Sequence, residues 1–257
     1  MKNAIKVLAA CVAAMFACAA WAKTYTQSGT VNGRQWWYYL DDSGNAIIEH
    51  ENSSSTYIAA IPTSASGSIV IPWKLDGHNV VGIGSKAFYY CDKITKVTIQ
   101  EGVTDIDFAA FYNCHQLAEV NLPSSLKTIG MYAFGYCIGL EGINFTVPGN
   151  INLEKIYAYA FTHCWALESV TIPQTVTTIG AYAFENCKVL DAIAIPAAVT
   201  FLGNNAFMDC ELLASVELPA SLAAADVQTR CFSGCPGDLA ITSAATEKSS
   251  FRPNSEK

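Results

Sequence analysis

Ala87-Phe88-Tyr89-Tyr90-Cys91 is the first copy of a short word, Ala-Phe-x-x-Cys. The word returns at Ala110-Phe111, Ala133-Phe134, Ala160-Phe161, Ala183-Phe184 and Ala206-Phe207, and Cys231-Phe232-Ser233-Gly234-Cys235 closes the series in weaker form. The closing cysteines of successive copies stand 23, 23, 27, 23, 23 and 25 residues apart. A fixed period of this length marks a chain built from stacked repeats.

Outward from the word, the whole unit keeps its places. Residues 165–187 show it in full, with Leu167, Val170/Ile172, Pro173, Val176/Ile179, Gly180 and Ala183-Phe184 at the recurring positions. Leu117, Leu140, Leu190 and Leu213 open other units, and Val97/Ile99, Val120/Leu122 and Val216/Leu218 fill the Val-x-Ile slot. That slot alternates with period two and is β-branched, so it predicts a very short strand. Proline after it ends the strand. Gly84, Gly130, Gly180 and Gly203 read as residues that permit a sharp corner. Ala-Phe-x-x-Cys has the length of one helical turn, with Ala and Phe facing inward. Seven apolar side chains contribute about 2 kcal/mol each when fully buried. Ordering the unit costs about 1.5 kcal/mol per residue. A single unit therefore cannot stand alone, and strands must pair from unit to unit.

This pattern, Leu-x-x-Val/Ile-x-Ile-Pro, then Val…Ile-Gly, then Ala-Phe-x-x-Cys, resembles the BspA-like, or Treponema-type, leucine-rich repeats. The resemblance covers about residues 69–241. It implies a leucine-rich-repeat solenoid: a curved, right-handed stack of short parallel β-strands with short helical turns. It also implies a secreted or cell-surface setting and a binding or adhesion role rather than catalysis. A shared fold transfers better than a shared activity.

At 257 residues, 51% of them apolar, the chain can bury one sizeable domain. The formal charge is −7 and there is no basic stripe, which argues against nucleic acid as a partner. Residues 1–22 read as a secretory signal: Lys2 and Lys6, an apolar Val7–Ala20, and Ala20-Trp21-Ala22 as a cleavage site. An N-terminal anchor helix is the competing reading. Leu8-Ala9-Ala10-Cys11 and Met15-Phe16-Ala17-Cys18 are poor lipidation motifs. No later stretch is long and apolar enough to span a bilayer.

Residues 23–68 lack the repeat and read as an N-terminal β-rich cap. Gln35–Leu40, a turn at Asp41–Gly44, and Asn45–Ile48 form an expected hairpin. Tyr57–Ile61 is a further strand expectation. The Trp36-Trp37-Tyr38-Tyr39 run either packs on the first repeat or offers a sugar-stacking platform. Repeats run 92–114, 115–137, 138–164, 165–187, 188–210 and 211–235, after a first one with a longer loop at Trp73–Asn79. The 27-residue repeat carries four extra residues near Thr146–Asn152, expected to bulge as a loop. Residues 242–257 are polar and read as a disordered tail.

Several chemistries can be weighed. Gly82-Ile83-Gly84-Ser85-Lys86-Ala87 matches a dinucleotide fingerprint, but its residues are repeat positions and no nucleotide-binding βαβ unit follows. No cofactor is expected. Eight cysteines follow the signal, and six hold one repeat position beside the buried Phe, so they read as a column of core thiols. Cys231 and Cys235 are the pair expected to form a disulfide. There is no Cys-x-x-Cys for zinc, and His115 and His163 beside Cys114 and Cys164 do not converge as ligands. No catalytic set of acids, or nucleophile with base, gathers on one face. A polysaccharide-active β-helix enzyme is the alternative of another class. A structural envelope protein that self-associates is a third.

Binding of an extracellular protein or glycan is the reading that remains, on one of two faces. The strand face offers Lys96/Thr98, Glu119/Asn121, Asn144 and Ser169/Thr171. The turn face offers Tyr132, Tyr159 and Tyr182 at one repeat position, with Tyr89, Tyr90, Tyr112, Tyr136 and Trp165 nearby. Tyr and Trp dominate contact energy at interfaces, which favours the turn face over Asn121, Asn144 and Thr171. Asn52-Ser53-Ser54 and Asn144-Phe145-Thr146 fit the N-glycosylation pattern.

Overall fold

The Val-x-Ile slots become strands that pair side by side. In the computed structural model, which describes residues 25–31, 33–49, 59–62, 64–145, 151–220, 222 and 231–243, they are β4 (Gly67–Ile71), β7 (Ile94–Ile99), β9 (Glu119–Leu122) and β11 (Gly142–Phe145). Later units supply β14 (Ala192–Ala194), β16 (Ser215–Leu218) and β17 (Ala240–Ser243). The first four form one parallel sheet and the last three another. Residues 169–172 of the fifth unit form no strand, so the face divides there. The division follows directly on the longer fourth unit. Residues 146–150 of its longer loop lie outside the described residues, as do the signal at 1–22, both lipidation motifs, Asn52 and residues 244–257.

The second apolar pair of each unit makes a second parallel ladder. Its strands are β6 (His78–Ile83), β8 (Asp105–Ile106), β10 (Thr128–Ile129), β12 (Lys155–Ile156), β13 (Thr178–Ile179) and β15 (Phe201–Leu202). Ile83, Ile106, Ile129, Ile156, Ile179 and Leu202 stand in register and point inward. The result is a solenoid of parallel strands with about seven turns.

The Ala-Phe-x-x-Cys segments are not helical, which corrects the expectation of short helical turns. Each is a pair of tight turns. In the first unit Ala87, Tyr89 and Cys91 donate N–H bonds back to Gly84, Lys86 and Phe88. The alternate residues Lys86, Phe88 and Tyr90 donate to Phe108, Ala110 and Tyr112 of the next unit. The alternation repeats down the stack and makes a third ladder between units. It requires a left-handed residue before each Ala and another before each Cys. Tyr132 and Tyr136 (φ 58° and 59°), Tyr159 and His163 (both 59°), and Tyr182 and Asn186 (58° and 56°) fill these places. A side chain in that region is strained by about 1–2 kcal/mol, so the ladder must over-determine it. The unit glycines have a different task from the expected one. Gly130 does not have positive φ; a Cβ there would fall 2.7 Å from the Ile106 carbonyl oxygen. These glycines serve close approach between units.

The core is a column of rings and thiols. Phe88, Phe111, Phe134, Phe161, Phe184, Phe207 and Phe232 stack face to face at 4.7, 5.1, 5.4, 5.2, 5.3 and 5.6 Å. The cysteines lie alongside, each thiol donating to the Phe carbonyl of the preceding unit: Cys114 to Phe88, Cys137 to Phe111, Cys164 to Phe134, Cys187 to Phe161 and Cys210 to Phe184, at 3.1–3.4 Å.

Three strands stand before the first unit. β1 (Tyr25–Val31), which the sequence did not suggest, pairs antiparallel with β2 (Arg34–Leu40), and β2 with β3 (Ala46–Ile48). β3 then joins β6 in parallel. Trp36 is buried edge-on against Phe88 at 6.4 Å and closes that end of the ring column, and Tyr38 is buried too. Ala59–Ile61 are buried but form no strand. The Trp73–Asn79 loop is a hairpin, β5 (Lys74–Leu75) against β6, turning at left-handed Asp76 and Gly77.

Candidate functional site

The left-handed residue before each Ala throws its side chain outward, and consecutive units place these side chains one above another. Tyr132, Tyr159 and Tyr182 therefore stack, at 4.6 and 4.7 Å with interplanar angles of 8° and 3°. The residue before each Cys makes a second column, where Tyr136 and His163 stack at 4.3 Å. Tyr112 links the two columns, lying 5.9 Å from Tyr132 and 5.4 Å from Tyr136. Tyr89 continues the contact from Tyr112 to Tyr90. Trp165 joins through His163 at 6.4 Å, and the Lys188 ammonium lies over its ring. All the tyrosines expected on the turn face thus form one continuous aromatic edge.

Parallel stacking decides what this edge can present. Within the ladder the ring faces are spent on one another, so Tyr159 offers its rim and hydroxyl. Burial first, then the neighbouring tyrosines, push the Tyr112, Tyr132 and Tyr159 phenols upward, with Glu185 adding to the effect at Tyr132 and Tyr159. They stay protonated at neutral pH and act as a row of donors.

The edge also gathers residues that the sequence did not assign to it. Thr162 Oγ1 donates to Glu185 Oε2 at 2.8 Å and lies 2.8 Å from His163 Nδ1. The carboxylate can only accept, so the hydroxyl proton goes to Glu185 and His163 donates from Nδ1. Burial lowers the His163 pKa despite the pull of Glu185. This hydroxyl, imidazole and carboxylate set does not activate a nucleophile: Thr162 is buried and its proton is directed away from the imidazole. Phe108 extends the edge, lying against Tyr132 at 6.2 Å, and Phe108, Met131 and Tyr157 are all exposed. His163 could have been found by register, because it fills the Tyr136 position.

The strand-face residues gather less well. Asn121 and Asn144 face outward in register on β9 and β11. Asn121 is already engaged, donating to Glu119 Oε1 at 3.0 Å, and Glu119 also meets Lys96 at 2.8 Å. Thr171 is exposed but lies in the segment 169–172 that forms no strand, outside both sheets of that face. Cys231 and Cys235 stand as free thiols rather than the expected disulfide. Cys231 occupies the Ala position of its unit and donates to Gly203 O, whereas Cys235 occupies the column position and donates to Phe207 O. Among the described residues no three metal-ligating side chains converge, and no helix is long and apolar enough to cross a membrane.

Seven turns sharing three ladders and a single aromatic edge define a repeat scaffold. The BspA type leucine rich repeat region matches it in six copies, over residues 81–213 and 154–247, and the chain belongs to that family. Among solved structures it is similar to the T. pallidum leucine-rich repeat protein TpLRR, with 28% identity over 71% of this chain and 68% of that one, TM-score 0.49. It is also similar to a leucine-rich repeat protein from Bacteroides ovatus, at 20% identity over 86% and 66%, TM-score 0.32. The pneumococcal vaccine antigen PcpA follows at 17% identity over 86% and 72%, TM-score 0.42. Comparison with curated proteins gives no match.

Proposed function

We propose that the chain is an exported, non-catalytic scaffold whose aromatic edge binds an extracellular protein. One observation carries this reading. Tyr90, Phe108 and Trp165 are exposed large apolar side chains in ring contact with the aromatic edge, and the exposed Met131 and Tyr157 stand one and two residues before the ladder tyrosines Tyr132 and Tyr159. An apolar patch of this kind on a soluble surface marks a contact site, and aromatic anchors with polar tips supply most of the energy at protein interfaces. A glycan would need open ring faces, and the ladder's own stacking consumes them at Tyr159.

The test is a binding screen of the chain against extracellular matrix proteins, mucins and glycans. One variant changes Tyr132, Tyr159 and Tyr182 to Asn, which the same column already accommodates at left-handed Asn205 (φ 57°). A second changes Asn121, Asn144 and Thr171 to Lys. A protein ligand lost only in the first variant supports the proposal. Loss only in the second moves the site to the strand face. Glycan binding, or a size that rises with concentration and no other ligand, overturns it.

A further inference from the structure

The cysteine column has one end that differs from the rest. Cys91, Cys114, Cys137, Cys164, Cys187 and Cys210 are buried without measurable exposure, whereas Cys235 is only partly buried. Cys235 belongs to the closing turn, and among the described residues no further turn packs on it. It holds the same column position one turn beyond Cys210, its thiol donating to Phe207 O as the Cys210 thiol donates to Phe184 O. Neighbouring turns stand about 4.8 Å apart, inside the Cα separation that a disulfide spans.

We propose that Cys210 and Cys235 form a redox site in which Cys235 is the attacking thiol, Cys210 the resolving thiol, and their disulfide staples the seventh unit to the sixth. The acidities agree. Hydrogen bonding from Cys210 lowers the Cys235 pKa below the usual thiol range. Burial raises the thiols of Cys91, Cys114, Cys137, Cys164 and Cys187 instead. A thiolate open to solvent is the reactive kind, whereas a buried thiol meets no small oxidant from solution and can react only with a sulfur packed beside it.

The oxidant is a low-molecular-weight disulfide. The Cys235 thiolate attacks one of its sulfurs, the S–S bond breaks, and one thiolate leaves and takes up a proton. Cys210 then loses its proton and attacks the Cys235 sulfur of the mixed disulfide, releasing the second small thiol. Two protein thiols and one small disulfide become one protein disulfide and two small thiols. The seventh unit is otherwise held by Phe232 on Phe207, by the Phe207 and Asp209 N–H bonds to Cys231 and Ser233, and by β17 on β16. A bond at this place fixes the end of the solenoid at its last ring contact.

The experiment uses the reduced, folded full chain. Brief alkylation with N-ethylmaleimide should label Cys235 at least ~10-fold faster than any other thiol. On a separate, unalkylated sample, oxidised glutathione should remove the mass of two hydrogens without leaving an adduct. Arg230 separates the tryptic peptide that contains Cys210 from the one that contains both Cys231 and Cys235. The proposed bond therefore joins two peptides, while a Cys231–Cys235 bond stays within one. In Cys210→Ala the glutathione should remain on Cys235. Uniform or absent native labelling, an intrapeptide bond, or a lasting glutathione adduct on the unaltered chain overturns the proposal. The last two readings need no variant to fold.

Discussion

Replacing Tyr159 with Asn tests whether the tyrosine ladder holds the turns together or merely decorates them. Tyr159 stacks on both sides, against Tyr132 at 4.6 Å and Tyr182 at 4.7 Å. In the ladder Tyr182 stacks on one side only, against Tyr159. A stacked aromatic pair contributes about 0.5–1.5 kcal/mol beyond its buried area. Both residues sit at left-handed φ, 59° and 58°, so the relief that Asn brings to the backbone is the same in each. That relief cancels between the two variants, and the difference isolates one ring pair. Tyr159→Asn should therefore be less stable than Tyr182→Asn by about 0.5–1.5 kcal/mol. Urea unfolding followed by circular dichroism reads the difference as a shift in midpoint at unchanged slope. The double variant supplies a control: once Tyr182 is gone, removing Tyr159 should cost less than it does alone, because one of its pairs is already lost. Equal costs for the two single variants, or strict additivity in the double variant, would refute the assignment of energy to stacking.

Other consequences follow from the same ladders. Gly130→Ala should destabilise the chain by about 1–3 kcal/mol, since its Cβ meets the Ile106 carbonyl at 2.7 Å, while Gly142→Ala, with nothing within 4 Å, should be near neutral in the same urea titration. Phe161→Ala removes a ring stacked on both sides and should cost about 3–5 kcal/mol, read as a lower melting temperature with loss of cooperativity between the units on either side. Tyr38 donates to Asp76 at 2.9 Å, and burial, then Asp76, pushes its pKa up to about 12 from 10.0. A phenol raised on folding stabilises fully below its unfolded pKa and loses that contribution as pH rises through the folded one. Stability curves of the unaltered chain and Tyr38→Phe should hence run a constant distance apart below pH 10 and converge between pH 10 and about 12.

Much of the fold is legible because the repeat says the same thing seven times. Val97/Ile99 and Val120/Leu122 predict strands locally, and stacking makes them pair in parallel, as β7 and β9 do. What failed was local shape. Ala-Phe-x-x-Cys has the right length for a helical turn, and nothing in residue types announces that Tyr132 and Tyr136 adopt left-handed φ. Asn113, Asn186, Asn205 and Asp209 at the same two positions were the available sign, since Asn and Asp tolerate that region best. Gly130 was read for flexibility when its role is space. The strand missing at residues 169–172 was also beyond sequence reasoning: Val170 and Ile172 keep the pattern, yet the first strand slot of this unit, which directly follows the insertion, joins neither sheet of that face.

The alignment of the tyrosines was legible in the sequence, but the orientation of their rings was not. Register alone put Tyr132, Tyr159 and Tyr182 on one edge, because a fixed period must superpose equivalent side chains. Register cannot say whether the rings lie flat toward solvent or against one another. Left-handed φ and the 4.6–4.7 Å spacing between rings turn them onto their neighbours. The same spacing that aligns the tyrosines also withdraws their faces from a sugar and leaves rims and hydroxyl donors for a partner. The cysteines follow the same logic at the other end of the period. Sequence proximity favoured Cys231 with Cys235, four residues apart. Stacking instead sets Cys231 in the Ala position and brings Cys235 under Cys210, a full unit away. In a solenoid the nearest chemical neighbour is one period distant, so pairings should be sought down the columns before they are sought along the chain.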